Sequence, residues 1–275
     1  MIIENGVHEL SIEDYHSSKG ISRSGLFEFK KTPLHFWHRY LNPNATKKKP
    51  TPAMILGNVI HTVVLEHEEF DKRYAVKPNL DRRTKEGKSY YEFFMNTLGN
   101  REAISTDDYE LALSMKYALE CNPEVVDLLD GMQIEKSIYF THKETGLQCK
   151  ARPDAWLNGI VVDLKSAKDA SMETFKRESF YHGYYLQAGM MHEALDSIGI
   201  KLESFAFLPV EKEAPHAHGI YLLDDAPLQY GINLFNELML NIKKCFDADK
   251  WPGYGIQNLE LYHPAKYENL LEIEE

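Results

Sequence analysis

Two short motifs in the middle of the chain carry acidic and basic side chains close together. The first is Arg152–Pro153–Asp154 and the second is Val162–Asp163–Leu164–Lys165. Alternate residues of an extended strand share a face, so Asp163 and Lys165 are expected to project together. A turn at Asn158–Gly159 can return the chain so that Asp154 approaches them. The sequence therefore predicts that two carboxylates and an ammonium group converge.

Such a set of groups suits phosphodiester hydrolysis. Carboxylate oxygens are hard ligands for Mg²⁺ or Mn²⁺, and these ions can polarise a phosphoryl oxygen and lower the pKa of bound water. A nearby lysine can position that water or stabilise charge on the phosphate. The acid-x-Lys triplet alone is a weak signal, because it also occurs at Glu28–Phe29–Lys30 and Glu86–Gly87–Lys88. The alternative is a surface Asp/Lys pair that contributes about 0.2–1 kcal/mol.

The elements that would position these groups follow the order βββααββα. Apolar alternation predicts strands over 134–142, 147–157, 160–167, 201–211 and 216–223. Helical spacing predicts helices over 171–180, 184–195 and 226–248. No linker divides this order, which predicts an α/β or α+β core over residues 131–255. We expect a single domain over residues 1–275, with 256–275 as a C-terminal tail.

Residues 1–130 are expected to be mainly helical. Helices are predicted over 22–29, 33–41 and 53–66. The last of these places Gly57 and His61 on one face, four residues apart. A lone histidine on an apolar helix face is more often a packed core residue than a ligand, so spacing alone does not assign His61 a role.

Composition indicates a folded protein. The 275 residues are 43% hydrophobic, which excludes disordered and collagen-like classes. Neither a signal peptide nor a membrane span is evident, and three scattered cysteines fit a reducing cytoplasm. The net charge of −11 would ordinarily disfavour a nucleic-acid partner, but residues 1–100 carry net +3 and the remainder −14. The whole-chain charge therefore says little about one face.

Six stretches, in order between residues 20 and 255, resemble the RecE-like exonucleases (exodeoxyribonuclease VIII type) of the PD-(D/E)xK nuclease superfamily. The stretches are Ile21–Leu26, Leu56–His61, Asp81–Lys88, Gly146–Asp154, Val162–Ser166 and Tyr184–Ala188.

The resemblance implies a restriction-endonuclease-like core with a central mixed β-sheet flanked by helices. It also implies a Mg²⁺-dependent exonuclease, with Mn²⁺ as a possible substitute, that enters double-stranded DNA at an end. Such enzymes digest the 5′-ended strand and leave 3′ single-stranded tails for phage-type recombination by strand annealing. They work beside a RecT-like single-strand annealing protein and are usually ring-shaped homo-oligomers.

The same resemblance assigns roles around the central motifs. His61, Asp154 and Asp163 become metal ligands, and the carbonyl of Leu164 can add another. Lys165 becomes the catalytic lysine, acting with the two aspartates. The resemblance thus gives His61 a role that its helical spacing alone does not.

Further site residues follow from the family's Gln-x-x-x-Tyr helix. Gln187 matches the glutamine and is expected to contact Lys165 or a DNA phosphate. Position 191 is Met rather than Tyr, and Tyr184 or Tyr185, one turn earlier, can substitute. Glu135 lies near the position at which some relatives place a further carboxylate.

Hydroxyl side chains at the start of the helix predicted over 22–29 are candidate contacts to DNA, as are basic side chains around a predicted loop, 77–87, that leads to a further predicted helix through Leu98. Guanidinium forks and helix N-terminal amides both bind phosphate. A lysine loop at 47–49 is expected to contact DNA without recognising its sequence. The sequence has no base-reading motif, which predicts sequence-independent binding. The candidate DNA contacts are Arg82, Arg83, Lys85, Lys88, Ser22 and Ser24.

Two alternatives stay open from the sequence. The same metal site would serve an endonuclease or a structure-specific DNA trimming enzyme. The incomplete Gln-x-x-x-Met motif would also fit a catalytically silent DNA-binding or assembly module.

Overall fold

The computed structural model describes residues 3–46 and 49–255. Two residues of the predicted lysine loop, Lys47 and Lys48, and the predicted tail over 256–275 lie outside the described residues. The strands are β1 (Gly6–His8), β2 (Tyr74–Val76), β3 (Glu102–Ile104), β4 (Gln133–Ile134), β5 (Ser137–Thr141), β6 (Gln148–Ala151), β7 (Ala155–Leu157), β8 (Ile160–Ala167), β9 (Ser204–Glu211) and β10 (Tyr221–Leu222).

The α-helices include a long C-terminal one and several that begin at side-chain caps. They are α1 (Ile12–Ser17), α2 (Arg23–Lys31), α3 (Pro33–Phe36), α4 (Pro52–Leu65), α5 (Phe70–Arg73), α6 (Lys85–Thr97), α7 (Thr106–Glu120), α8 (Pro123–Leu129), α9 (Met172–Tyr181), α10 (Tyr184–Ser197) and α11 (Asp225–Ala248). A π-helical turn over Trp37–Leu41 extends α3, and a 3₁₀ turn over His67–Glu69 precedes α5.

A five-stranded sheet forms the centre of the protein, in the order β10-β9-β8-β7-β4. The neighbours β8 and β9 run parallel, with Asp163 opposite Phe207, and the other pairs are antiparallel. Helices α9 and α10 form the crossover between β8 and β9, as a parallel pair requires. The mixed sheet flanked by helices confirms the predicted fold class.

Two of the predicted strands are wrong as continuous elements, because each bends between two sheets. Residues 134–142 divide into β4 and β5, and residues 147–157 divide into β6 and β7. The halves β5 and β6 pair with β1 in a separate three-stranded sheet. One bend contains Glu135 in a left-handed conformation (φ 51°), and the other contains Pro153, which has no N–H to donate to a ladder.

Apolar residues cover both faces of the central sheet. On one face, Val162, Leu164 and Leu208 pack against α4 and α7. On the other face, Val161, Phe205 and neighbouring side chains pack against α2, α10 and α11. Each fully buried apolar side chain of this kind contributes about 1.5–3 kcal/mol. The strand β8 is therefore held from both sides, and its polar residues are fixed with it.

Helices α10 and α11 approach closely through a pair of glycines. A Cβ added to Gly231 would lie 1.8 Å from the carbonyl oxygen of Tyr185, and one added to Gly189 would lie 2.2 Å from the backbone of Gly231. Real Cβ atoms cannot occupy either position. This contact sets the position of α10 over the sheet.

The N-terminal segment is anchored to the core by a buried lysine. The ammonium of Lys150 donates to the carbonyl oxygens of Tyr15 (2.6 Å) and Ser18 (2.7 Å). Burial lowers the pKa of Lys150 to about 8. Residues 3–130 are mainly helical, and they also contain β1 and the parallel pair β2–β3, which the apolar periodicity did not indicate. No helix among the described residues is long and apolar enough to cross a membrane.

Candidate metal centre and active site

The candidate site lies where β7 and β8 part. Their ladder ends at the pair Ala155 and Val162. The next backbone N–H on that side of β8 belongs to Leu164, and it donates to the Asp154 carboxylate at 2.8 Å. Asp154 thus takes the place of a strand partner, and its side chain is fixed at the opening between the strands.

A histidine and a second carboxylate meet Asp154 at this opening. His61, on α4, places Nδ1 3.5 Å from an Asp154 carboxylate oxygen. Glu135, at the bend between β4 and β5, bonds its backbone N–H to the Asp154 carbonyl at 3.0 Å. One ligand atom from each of His61, Glu135 and Asp154 lies within 4.8 Å of the others, and all three residues are half-buried. This set of nitrogen and oxygen donors is suited to a divalent cation.

The electrostatics of the two carboxylates also fit a cation. Burial, reinforced by the charge of Asp154 and opposed by Arg152, raises the pKa of Glu135 to about 8. Burial and the nearby charge of Asp163 raise the pKa of Asp154, although His61, Lys165 and the Leu164 N–H oppose the increase. Negative charge is therefore unfavourable here in the protein alone, and a bound cation would relieve it.

Ion pairs hold the surrounding acidic and basic groups in place. Arg152 lies 2.8 Å from a Glu135 carboxylate oxygen through its Nε. Arg73, which follows α4 in the chain, pairs with Glu66 at 2.7 Å and donates to Thr62. The Arg73 and Glu66 charges both act on Glu135. Arg152 thus contacts the Glu135 carboxylate directly, whereas Arg73 and Glu66 act on it only through their charges.

Asp163 and Lys165 share a face of β8, as the strand alternation predicts. The Lys165 ammonium pairs with the Asp163 carboxylate, and Asp163 is only 1% exposed. Burial opposes the charged form of Lys165, but the carboxylates of Asp163 and Asp154 outweigh it and raise the lysine's pKa. Lys165 is therefore held as an ammonium ion beside the proposed ligands.

Gln187 lies at the site but has a partner other than Lys165, and its other predicted contact, a DNA phosphate, stays a prediction. Its amide nitrogen donates to Asp163 rather than to Lys165, because the first turns of α10 lie above the Asp163 side of β8. Tyr184, on the same helix, places its ring 5.1 Å from the Lys165 ammonium. Tyr185 points elsewhere and accepts a hydrogen bond from Lys30 at 2.7 Å. Met191 is buried in the core behind the site.

An arginine at the start of α2 borders the same face. The Arg23 guanidinium donates to the carbonyl of His182 and lies 4.9 Å from the Phe27 ring. Burial lowers the pKa of Arg23, opposed by the charges of Asp163 and Tyr184. Arg23 therefore supplies a second cation near Asp163.

The predicted DNA contacts lie at two helix N-termini. Ser22 caps α2 by accepting from Gly25 N–H (3.4 Å), and Ser24 is exposed. Arg82 and Arg83, just before α6, and Lys85 and Lys88, in its first turn, are all exposed. The Arg83 guanidinium pairs with Asp81 at 2.9 Å, and Arg82 lies over the Tyr91 ring at 4.7 Å. The side-chain hydrogen bonds and the ion pair of the segment 81–88 join its own residues to one another. The proposed DNA contacts of Arg82, Arg83, Lys85 and Lys88 therefore stay predictions.

Comparison with known proteins identifies the family. The model of a family described as "PDDEXK-like domain of unknown function (DUF3799)" matches residues 22–260. The chain belongs to this family. The matched span includes each of His61, Glu135, Asp154, Asp163 and Lys165. No curated protein matches the chain.

A solved structure shares the fold over nearly the whole chain. It is described as "Putative exonuclease" from Eubacterium rectale, with 16% identity, a TM-score of 0.61, and coverage of 96% of this chain and 98% of that one. A second structure, SSO0001, has 14% identity and a TM-score of 0.29 over 67% of this chain and 85% of that one, a likeness that supports no argument. Together with the family, the first likeness shows a PD-(D/E)xK nuclease core.

Three charged side chains at the site, Glu135, Arg152 and Arg23, carry little or no signal of that role in the sequence. Glu135 had only its position on the first predicted strand as a signal. Arg152 immediately precedes Pro153–Asp154, and an arginine beside a predicted ligand is a signal that could have been used. Arg23 is distant in sequence, and helix α2 brings it to the site only through packing.

Proposed function

We propose that the chain is a divalent-metal-dependent deoxyribonuclease that degrades double-stranded DNA from an end, 5′ to 3′, leaving 3′ single-stranded tails. The observation that carries this proposal is the convergence of His61, Glu135 and Asp154 within 4.8 Å, with Lys165 held charged beside them. The nuclease core is that of the family. The polarity and the preference for ends are proposals that rest on the resemblance to RecE-like exonucleases and on the description of the E. rectale neighbour.

His61, Glu135 and Asp154 would hold the cation, which we propose to be Mg²⁺, with Mn²⁺ as a substitute favoured by the imidazole. Asp163, whose charge acts on Asp154, and the carbonyl of Leu164 are further candidate ligands. When bound, such an ion supplies Lewis-acid activation of the phosphate and lowers the pKa of water.

The residues around the ligands perform the remaining tasks. Lys165 donates hydrogen bonds to a phosphate oxygen or to the attacking water, since its raised pKa keeps it protonated. Asp163 orients this ammonium, and Gln187 fixes the Asp163 carboxylate by its hydrogen bond. Tyr184 covers the ammonium with its ring face, which favours a cation.

The exonuclease proposal has a direct test. The protein would be incubated with Mg²⁺ and either linear duplex with 5′-phosphates or covalently closed circular duplex of the same sequence. We expect loss of the linear DNA only, abolished by chelator, and 3′-end-labelled linear DNA that yields long labelled single strands. Digestion of closed circles would favour the endonuclease alternative. No metal-dependent digestion of either would favour the silent DNA-binding module.

Duplex binding is proposed to be dominated by phosphate contacts from Ser22, Ser24 and the basic segment Arg82–Lys88. Affinity should then fall steeply with added salt, by roughly one power of ten in affinity per tenfold salt for each phosphate neutralised. A flat salt response would contradict this mode of binding. A RecT-like annealing protein and a ring-shaped homo-oligomer are proposed partners, and the cytoplasm is the proposed location. Light scattering of the purified protein tests the oligomer.

A further inference from the structure

Exposed aromatic side chains cluster at the corner between α9 and α10. Phe180 is 69% exposed and Tyr181 is 79% exposed at the end of α9, and His182 is also exposed. We call these three residues the aromatic corner. Burial of an aromatic ring stabilises a protein by about 1.5–3 kcal/mol, yet neither Phe180 nor Tyr181 belongs to the buried clusters of the described residues. These two neighbouring rings are therefore accessible to an external occupant.

A chain of ring contacts connects this corner to the candidate active site. The Tyr181 ring lies 5.2 Å from that of His182, and the His182 ring is stacked on Tyr184 at 5.9 Å. Tyr184 in turn lies 5.1 Å from the Lys165 ammonium. The aromatic corner is therefore continuous with the position at which the proposed reaction occurs.

The charges beside the corner suit a polyanion. The Arg23 guanidinium donates to the His182 carbonyl, and its buried Nε has no hydrogen-bond partner within the described residues. Lys30 donates to Tyr185 at 2.7 Å, and the Phe180 ring lies 5.7 Å from the same tyrosine ring. Cations flank the rings on a chain whose net charge is −11. Aromatic faces next to cations are the chemistry that binds single-stranded nucleic acid, through stacked bases and paired phosphates.

A short turn with a left-handed glycine joins α9 to α10 at the corner. Gly183 adopts a left-handed conformation (φ 66°), and a Cβ at this position would lie 3.0 Å from the Phe27 ring. The short turn ends α9 at Tyr181 and starts α10 at Tyr184. The rings of Phe180 and Tyr181 thus stand at a fixed corner rather than on a long loop.

We infer that the aromatic corner is a base-stacking site for unpaired nucleotides of the DNA strand that enters the active site. The inference rests on the proposed function for the identity of the strand. The rings stack the bases next to the phosphate that is cut, while Arg23 pairs with a backbone phosphate. Stacking is indifferent to base identity, which agrees with sequence-independent digestion.

The test uses an oligonucleotide carrying 2-aminopurine, whose fluorescence is quenched when it stacks. A 5′-phosphorylated duplex with a short frayed end and a terminal 2-aminopurine is titrated with full-length protein in a Lys165→Ala background, so that binding is read without cleavage. We expect quenching on binding. Phe180→Leu and Tyr181→Leu should remove the quenching and weaken binding about 5- to 100-fold. Leucine keeps apolar bulk and the fold but lacks a π face, whereas Tyr181→Phe should retain both quenching and affinity.

Tyr117→Leu is the matched control, because Tyr117 is 69% exposed on α7 and has no contact with the aromatic corner. In the otherwise wild-type enzyme, the corner variants should raise KM and leave kcat nearly unchanged, because stacking acts equally on the bound substrate and the transition state.

Unchanged quenching and affinity in both leucine variants would overturn the inference. If light scattering showed that either leucine variant has a different oligomeric mass from the wild type, that result would also overturn the inference. It would assign the aromatic corner to contact between copies of the chain. Quenching without any wild-type cleavage would refute the proposed nuclease activity and retain the stacking site.

Discussion

The carboxylate of Asp154 accepts the backbone N–H of Leu164 at 2.8 Å, at the point where β7 leaves β8. A predicted metal ligand is thus also a partner for a strand of the central sheet. The two roles can be separated by choice of substitution, because an amide oxygen can accept the same hydrogen bond whereas a methyl group cannot.

Asp154→Ala should therefore affect both folding and chemistry, and Asp154→Asn chiefly chemistry. The alanine variant leaves the N–H of the buried Leu164 unpaired, at a cost of about 1–3 kcal/mol. The free energy of unfolding of the asparagine variant should lie within about 1 kcal/mol of the wild-type value. This variant should still lose metal-dependent cleavage. Urea unfolding and a digestion assay check the pair. Equal destabilisation by both would contradict the structural role of the Leu164 contact.

Lys165→Met should reduce cleavage by at least about 10²-fold, since it removes a positioned ammonium group that donates hydrogen bonds to the phosphate or to the attacking water. Lys168→Met is the control, because Lys168 is exposed just beyond β8. Initial rates on linear duplex are compared at saturating DNA. A Lys165 variant that keeps most of its activity would remove this residue from the mechanism.

His61→Ala should weaken binding of Mn²⁺ by at least about tenfold, because losing a direct ligand should cost no less than losing a supporting one. His67→Ala, just beyond α4 and exposed, should bind the ion as the wild type does. Isothermal titration calorimetry measures both. Identical affinities in the two variants would exclude His61 from the ligand set.

The raised pKa of Glu135 predicts that the free energy of unfolding of the metal-free protein depends on pH. Its pKa is raised from 4.5 to about 8 by burial, so the folded state binds a proton that the unfolded state releases between these values. Stability from this group is therefore complete below pH 4.5 and is lost as pH rises through about 8. In chelator, the free energy of unfolding should fall between pH 6 and 9 by an amount on the order of a few kcal/mol.

Glu135→Gln removes this titration and is the control for the pH experiment. Its unfolding free energy should vary less than that of the wild type over the same range. Metal should counteract the loss in the wild type, because the ion favours the ionised carboxylate. A wild-type profile that rises from pH 6 to 9 would contradict the position of this group.

Two glycines should respond oppositely to alanine. A Cβ on Gly231 would clash with the Tyr185 carbonyl, whereas a Cβ on Gly57 would have no neighbour within 4 Å. Gly231→Ala should destabilise by several kcal/mol, as overpacking does. Gly57→Ala should stabilise α4 by about 0.5–1 kcal/mol. Chemical unfolding of both variants tests the helix crossing, and an unaffected Gly231 variant would contradict it.

Much of the order of elements from 131 to 255 could be predicted from apolar periodicity, but the strand predicted over 216–223 is reduced to β10 (Tyr221–Leu222). The shared face of Asp163 and Lys165 follows from strand alternation, whereas the meeting of His61 with Asp154 is implied only by the resemblance to RecE-like exonucleases. The bends at Glu135 and Pro153 could not be predicted, because alternation of apolar residues continues across them and does not record a change of sheet. The position of Gln187 next to Asp163 depends on how α10 crosses α11, which Gly189 and Gly231 determine through tertiary packing.

The two roles of Asp154, as a candidate ligand and as a hydrogen-bond partner of β8, also bear on how homologous proteins could lose catalysis during evolution. Simple erasure of the side chain would damage the architecture together with the chemistry, so natural selection for a stable but inert copy should favour asparagine at this position. Duplicated genes whose products keep the fold without catalysis would then encode asparagine at this single position.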